Sequence, residues 1–353
     1  MSLRERLAQT HERLSRMLRR APHGVVAVPC ALFLAWLWLT TTQPFVRADP
    51  DAATVPVPID PARLEADVRT LTERFFPRDV SSREGLDGAA SFIASTFVDT
   101  GARVEEQTFE VDGGGHRDVQ GVTFRNVVAS FGPSNDDAER IVVGAHYDAC
   151  GPHPGADDNA SGVAGLLELA RQLGATRDLR TRIDLVAYTL EEPPFFATTE
   201  MGSARHARAL AKKGIRVRGM LALEMIGYFS DAPDSQRYPH FAVRPFYPSR
   251  GDFIALVGRD DDAPLARTVK SAMLGTGAIP TYSMTGPFTV PGLDWSDHRN
   301  YWGAGYTALM VTDTAFLRNS AYHTDRDRPE TLDYRRMGAV VRAVYAAVIA
   351  LGR

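Results

Sequence analysis

Cysteine is nearly absent from this 353-residue chain: only Cys30 and Cys150 occur, and Cys30 lies inside an apolar stretch. No disulfide framework can therefore hold the fold, which must rest on core packing and on any metal it binds. Internal repeats and low-complexity tracts are also missing. So is any broad excess of positive charge. The formal net charge is −3, and residues 1–23 hold six Arg against two Glu, or +4, which leaves −7 on the remainder. A body so acidic is no candidate for nucleic acid, and the basic stretch is a local device.

Charge is absent altogether from residues 24–46, a run close to the roughly 20 residues a helix needs to cross a bilayer. Arg4, Arg6, Arg13, Arg16, Arg19 and Arg20 precede it. The positive-inside rule then predicts a basic cytoplasmic tail over 1–23, a transmembrane helix within 24–46, and a body that is periplasmic or extracellular. A retained membrane anchor is the favoured reading. Val46-Arg47-Ala48 carries the small residues of a cleavage site, so a secreted body beginning at Asp49 is the alternative.

What is present is a globular domain with 44% hydrophobic residues. Residues 47–58, with Pro50, Pro56 and Pro58, read as a linker, and 59–353 as the catalytic domain. Helical spacing predicts helices over Ala62–Phe75, Gly88–Thr100, Ser203–Lys213 and Tyr334–Leu351, with a further one opening at a capping Ser161. Strands are predicted at Val104–Val111, Arg125–Phe131, Arg140–Ala145, Ile183–Leu190, Met220–Glu224, Phe253–Val257 and Tyr306–Val311. Near-continuous apolar strands alternating with helices indicate a mostly parallel mixed sheet covered on both faces, a three-layer α/β/α sandwich.

Metal-type side chains fall at the ends of these apolar runs: His146, Asp158 in Gly155-Ala-Asp-Asp-Asn-Ala-Ser-Gly162, Glu191-Glu192, Glu224 and His323. Open α/β sheets build their sites where strands emerge. Two imidazoles and three carboxylates, with a fourth acid left over, suit two divalent metals and a base. Strand alternation puts His146 and Asp148 on one side, so the Asp148 carboxylate is expected to accept the imidazole's second N–H. Asp158 lies twelve residues beyond His146, far enough to loop back to the same strand end. In the pair Glu191-Glu192, consecutive side chains point to opposite sides, so one can bind metal while its neighbour faces substrate. Cys150 reads as a small buried residue, having no basic partner beside it in sequence.

Over residues 60–350 these motifs, in this order, resemble the co-catalytic zinc aminopeptidases that include secreted bacterial leucine aminopeptidases and glutamate carboxypeptidase II. The resemblance implies a zinc-exopeptidase fold, a peptide substrate and two Zn²⁺ per chain, with cobalt or manganese as possible substitutes. It implies His146, Asp158, Glu192, Glu224 and His323 as metal ligands, with Asp158 bridging. Glu191 is implied as the general base and Tyr322 as the hydroxyl that supports the oxyanion. Asp148 and Asp297, the latter in a Ser-Asp-His motif, stand behind the ligands.

The chain departs from the family where Pro193–Met201 makes a longer bridge after the paired Glu, and where Arg328 follows Asp327 in place of a usual Thr. Phe195-Phe196 suggests an apolar subsite, and the aromatic, Pro-rich stretch 228–252 a lid or pocket wall. Two rivals share the fold type: a one-zinc glutaminyl cyclase-like aminoacyl transferase, and a receptor-like domain without catalysis.

Overall fold

The computed structural model describes residues 23–111, 119–287 and 289–353, so the basic stretch 1–22 lies outside the described residues. Its centre is one eight-stranded sheet: β1 (Arg103–Glu110), β2 (Thr123–Phe131), β3 (Arg140–His146), β4 (Arg182–Tyr188), β5 (Val217–Glu224), β6 (Ile254–Arg259), β7 (Thr281–Gly286) and β8 (Ala308–Thr312), in the order β1-β2-β4-β3-β5-β8-β6-β7. The central run β4-β3-β5-β8 is parallel, and so is β6 with β7; β1–β2, β2–β4 and β8–β6 are antiparallel. β3 and β4 are buried at every position, as a parallel strand covered on both faces requires.

The helices are α1 (His23–Thr42), α2 (Pro61–Arg69), α3 (Arg83–Asp99), α4 (Gly162–Gly174), α5 (Gly202–Lys212), α6 (Ala263–Gly275), α7 (His298–Gly303) and α8 (Tyr334–Gly352). Strand alternation sorts the core into two layers. Ile141, Val143, Leu221 and Leu223 face Leu166, Val269, Val340 and Val344 of α4, α6 and α8, while Val142, Val186, Met220 and Ala222 face Ala207, Leu210, Tyr301 and Trp302 of α5 and α7. This is the expected helix–sheet–helix arrangement.

Some local expectations give way to tertiary contacts. Strand β7 and helix α6 lie outside the predicted elements. β7 is an edge strand reading Thr-Tyr-Ser-Met-Thr-Gly, too polar for an apolar-run signal. Ser161 does not cap α4: its hydroxyl donates to the Asp157 carbonyl and accepts from Ile226 N–H, and Asn159 Oδ1 accepts the Gly162 N–H instead. Residues 47–58 form no helix or strand, yet they dock on the body: Asp49 N–H donates to the Ser271 carbonyl and Val57 N–H to Gln172 Oε1.

The expected transmembrane helix is not borne out. A helix does form at His23–Thr42, but among the described residues no helix is long and apolar enough to cross a membrane. Its last turn is polar and bonded to the body. Lys270 Nζ donates to the carbonyls of Thr42 (2.8 Å) and Gln43 (3.1 Å), and Gln43 Nε2 donates to Thr285 of β7 at 2.7 Å.

Candidate metal centre

Because β3, β4, β5 and β8 run parallel, their C-terminal ends share one edge, and the candidate residues gather there. His146 is the last residue of β3, Glu224 the last of β5, and Glu191 and Glu192 follow β4. His323 comes from the loop after β8, with a left-handed φ of 55°. Asp158 joins them from the turn ahead of α4, and the Asp158–Asn159 peptide is cis.

The two oxygens of Asp158 face different imidazoles: Oδ1 is 3.4 Å from His146 Nε2 and Oδ2 is 3.0 Å from His323 Nε2. Glu224 Oε2 lies 3.4 Å from His146 Nε2, and Glu192 Oε2 lies 3.3 Å from His323 Nε2. Each imidazole thus has its own carboxylate, with Asp158 between them. Glu191 stands a little farther off, at 3.9 Å from His146 Nε2. All five expected ligands and the expected base are brought together.

This donor set fits cations. The Nε2 atoms of both histidines and Glu192 Oε1 are buried without a hydrogen-bond partner, a costly state for polar atoms that have no further role. The electrostatics agree. Burial pushes Glu191 well above the usual carboxylate range and Glu192 up to about 8, with neighbouring carboxylates adding to the rise. Burial disfavours the charged form of His323 as well, but the nearby Asp158 carboxylate, the Cys150 thiol and the Glu192 carboxylate outweigh it and push the imidazole up to about 12. The carboxylates favour positive charge on both imidazoles, as they would favour a cation between them.

Asp148 stands behind the candidate ligands, though not as expected. The His146 Nδ1 partner is the main-chain carbonyl of Asp148 at 3.1 Å, and the carboxylate Oδ1 lies 3.6 Å away. Strand β3 ends at His146, so the assumed alternation no longer applies to Asp148. Its carboxylate accepts the backbone N–H groups of Glu191 (3.2 Å) and Glu192 (3.0 Å) and so holds the strand end that carries both acids. Asp297 is buried near the site with both oxygens partnerless, and burial pushes it up to about 7. Its neighbour Ser296 donates to Glu224 Oε2 at 2.7 Å. Tyr322 stacks on the His323 ring with centroids 3.7 Å apart, and burial and the four nearby carboxylates raise its hydroxyl.

Several supporting residues carried no sequence signal. Arg78, fully buried, donates to the carbonyls of Leu71, Tyr147, Pro154 and Gly155 and so clamps the segment between His146 and Asp158. Asp327 accepts the backbone N–H groups of Asp157 and Asp158. Asn159 Nδ2 donates to the Leu223 carbonyl, tying the Asp158 turn to β5. Only the fold brings these partners together.

The loops flanking the site are also resolved into roles. Phe195 is buried in the core, and Phe196 lies under the Arg299 guanidinium. Phe195 is therefore packing, not an exposed subsite. Stretch 228–252 walls a cavity beside Glu224 and Tyr322, contributing Tyr238 and Tyr247 opposite Phe253, Met310 and Trp295.

A mixed α/β sheet with such an edge defines a zinc-exopeptidase-like fold. The model of peptidase family M28 matches residues 126–348, and the chain belongs to that family. A protein of Escherichia coli (strain K12) described as uncharacterized protein YfbL is 46% identical over 310 residues, covering 86% of this chain and 91% of that one. The probable aminopeptidase YDR415C of Saccharomyces cerevisiae is 24% identical over 309 residues, covering 83% and 74%. Among solved structures, LapB from Legionella pneumophila superposes with a TM-score of 0.62 at 25% identity, over 86% of this chain and 78% of that one. Porphyromonas gingivalis glutaminyl cyclase superposes with a TM-score of 0.60 at 24% identity, over 82% and 98%, a likeness of fold alone. Family and relatives together support a hydrolase acting on peptides.

Proposed function

We propose that the protein is a two-zinc aminopeptidase, removing the N-terminal residue of a peptide. The observation that carries this reading is the division of Asp158 between two imidazoles, each with a carboxylate of its own: His146 with Glu224, and His323 with Glu192. Zinc bound there supplies a Lewis acid for the scissile carbonyl and a water of lowered pKa. Glu191, buried beside these groups, takes the proton as the water oxygen bonds to the carbonyl carbon. It returns that proton to the departing amine nitrogen as the C–N bond breaks. The Tyr322 hydroxyl donates to the carbonyl oxygen as charge develops on it. The cavity lined by Tyr238, Tyr247, Phe253, Met310 and Trp295 takes an apolar terminal side chain.

The test is metal content per chain together with product release from a panel of aminoacyl-nitroanilides, before and after chelation. About two zinc ions, with chelator-sensitive release fastest for Leu, Met or Phe, is the expected result. One zinc with cyclisation of N-terminal Gln would replace this reading with the cyclase, and neither metal nor turnover would favour the receptor-like domain. We further propose, from the Arg-rich and charge-free stretches of the N-terminus alone, that the body works outside the cytoplasm. Recovery of the protein only in the cytoplasmic fraction would refute that.

A further inference from the structure

Cys150 is a donor at this edge that the aminopeptidase reading does not use. It is a free, half-buried thiol four residues beyond His146. Its Sγ, a carboxylate oxygen of Glu192 and a ring nitrogen of His323 all lie within 4.8 Å of one another, a span that one ion could bridge. A second observation falls on a member of the same group: Glu192 is 5% exposed, and its Oε1 has no hydrogen-bond partner. The thiol is also held in place. Ala149 N–H donates to the Arg78 carbonyl, and the Arg78 side chain clamps the chain on either side at Tyr147 and Pro154.

We propose that Cys150 is a ligand of the metal held by Asp158, Glu192 and His323, which makes that half of the centre a mixed carboxylate–imidazole–thiolate site. The inference rests on the reading that those three residues hold a metal at all. On binding, the Sγ–H proton leaves to solvent and the thiolate lone pair forms the bond to the ion; no electron is transferred. A sulfur ligand makes this half softer than its neighbour at His146 and Glu224, where no thiol is at hand. The Cys150 half should therefore prefer zinc or cadmium over manganese, while the His146 half stays tolerant of harder ions. The two metals of one centre would then differ in exchange rate and in identity.

Cobalt substitution of the full chain separates the possibilities. Visible ligand-field absorption reports cobalt in the imidazole and carboxylate shell, and a near-ultraviolet sulfur-to-cobalt charge-transfer band reports the thiolate. Both are expected in the unaltered protein. The near-ultraviolet band should vanish in C150S and persist in C30S, and C150S should hold one of its two zinc ions about 10–100-fold more weakly. Visible absorption without the near-ultraviolet band would overturn the proposal and leave the metal reading standing. So would a C150S protein with unchanged zinc affinity. Absence of both bands would overturn the metal reading itself. The unaltered and C30S proteins carry the test even if C150S fails to fold.

Discussion

Asp327 Oδ2 accepts the backbone N–H of Asp158 at 3.0 Å, so the residue between the two imidazoles is held from behind by another acid. The companion bond runs from Asp157 N–H to Asp327 Oδ1 at 2.9 Å. Both donors lie in the turn ahead of α4, where backbone N–H groups have no helical partner and favour negative charge. Asp327 is itself buried, which pushes it up to about 7. Substitution by Ala should strand two buried N–H groups and let Asp158 shift. We expect D327A to lower zinc affinity about 10–100-fold in a competitive chelator titration. An unchanged affinity would show that the turn holds its own shape.

Glu191 is assigned the proton and no metal. E191Q keeps the shape of the side chain and should retain the metal content of the unaltered protein. Its kcat should fall by about 100- to 10,000-fold. Loss of metal along with activity would make Glu191 a ligand, and full activity would end its role as base.

The acid cluster also sets a pH dependence for the metal-free protein. Burial pushes Glu192 up to about 8, and Asp297 and Asp313 up to about 7. Folded values above unfolded ones mean that the native state binds extra protons, so this stability is complete below the ordinary carboxylate range and is lost as pH rises through 7 to 8. His323, raised to about 12, acts in the same sense above the ordinary imidazole value. Bound cations replace protons on the ligands. Thermal melts from about pH 5 to 8 should show the chelated protein losing Tm with pH, and the gap to the zinc-loaded protein widening. A gap that narrows would contradict the assignment.

Phe195 tests the loop after the paired Glu. It is 2% exposed and packs with the core, so F195A should destabilise the protein by about 3–5 kcal/mol. The ranking of nitroanilide substrates should stay the same. A changed ranking at unchanged stability would restore the subsite reading of Phe195.

Four of the candidate ligands were legible in sequence because they close an apolar strand or sit in a Gly-bounded acidic turn, signals carried by a few adjacent residues; His323, in the loop after β8, rested on the resemblance. The partners of those ligands were not. Ser296 on Glu224, Asp327 on the Asp158 turn and the guanidinium of Arg78 act across separations of 72, 169 and up to 77 residues. Nothing within a short window distinguishes such residues from ordinary polar loop positions. Cys150 has no basic partner beside it in sequence and reads as a small buried residue, whereas the fold leaves it half-buried with a His323 ring nitrogen within 4.8 Å of its Sγ.

By itself, then, the sequence determined the layered α/β class, the strand ends at which the candidate site lies and the ordered set of metal-type side chains. Each follows from local periodicity and from the cost of ending an apolar strand in acid. Only the tertiary structure decided that Asp148 orients the glutamates through their backbone, that Phe195 is core, that the end of α1 is bonded to Lys270 and β7, and that a thiol stands beside His323. These depend on which distant segments meet, and the pairing of distant segments is set by packing of the whole sheet and its two helical layers.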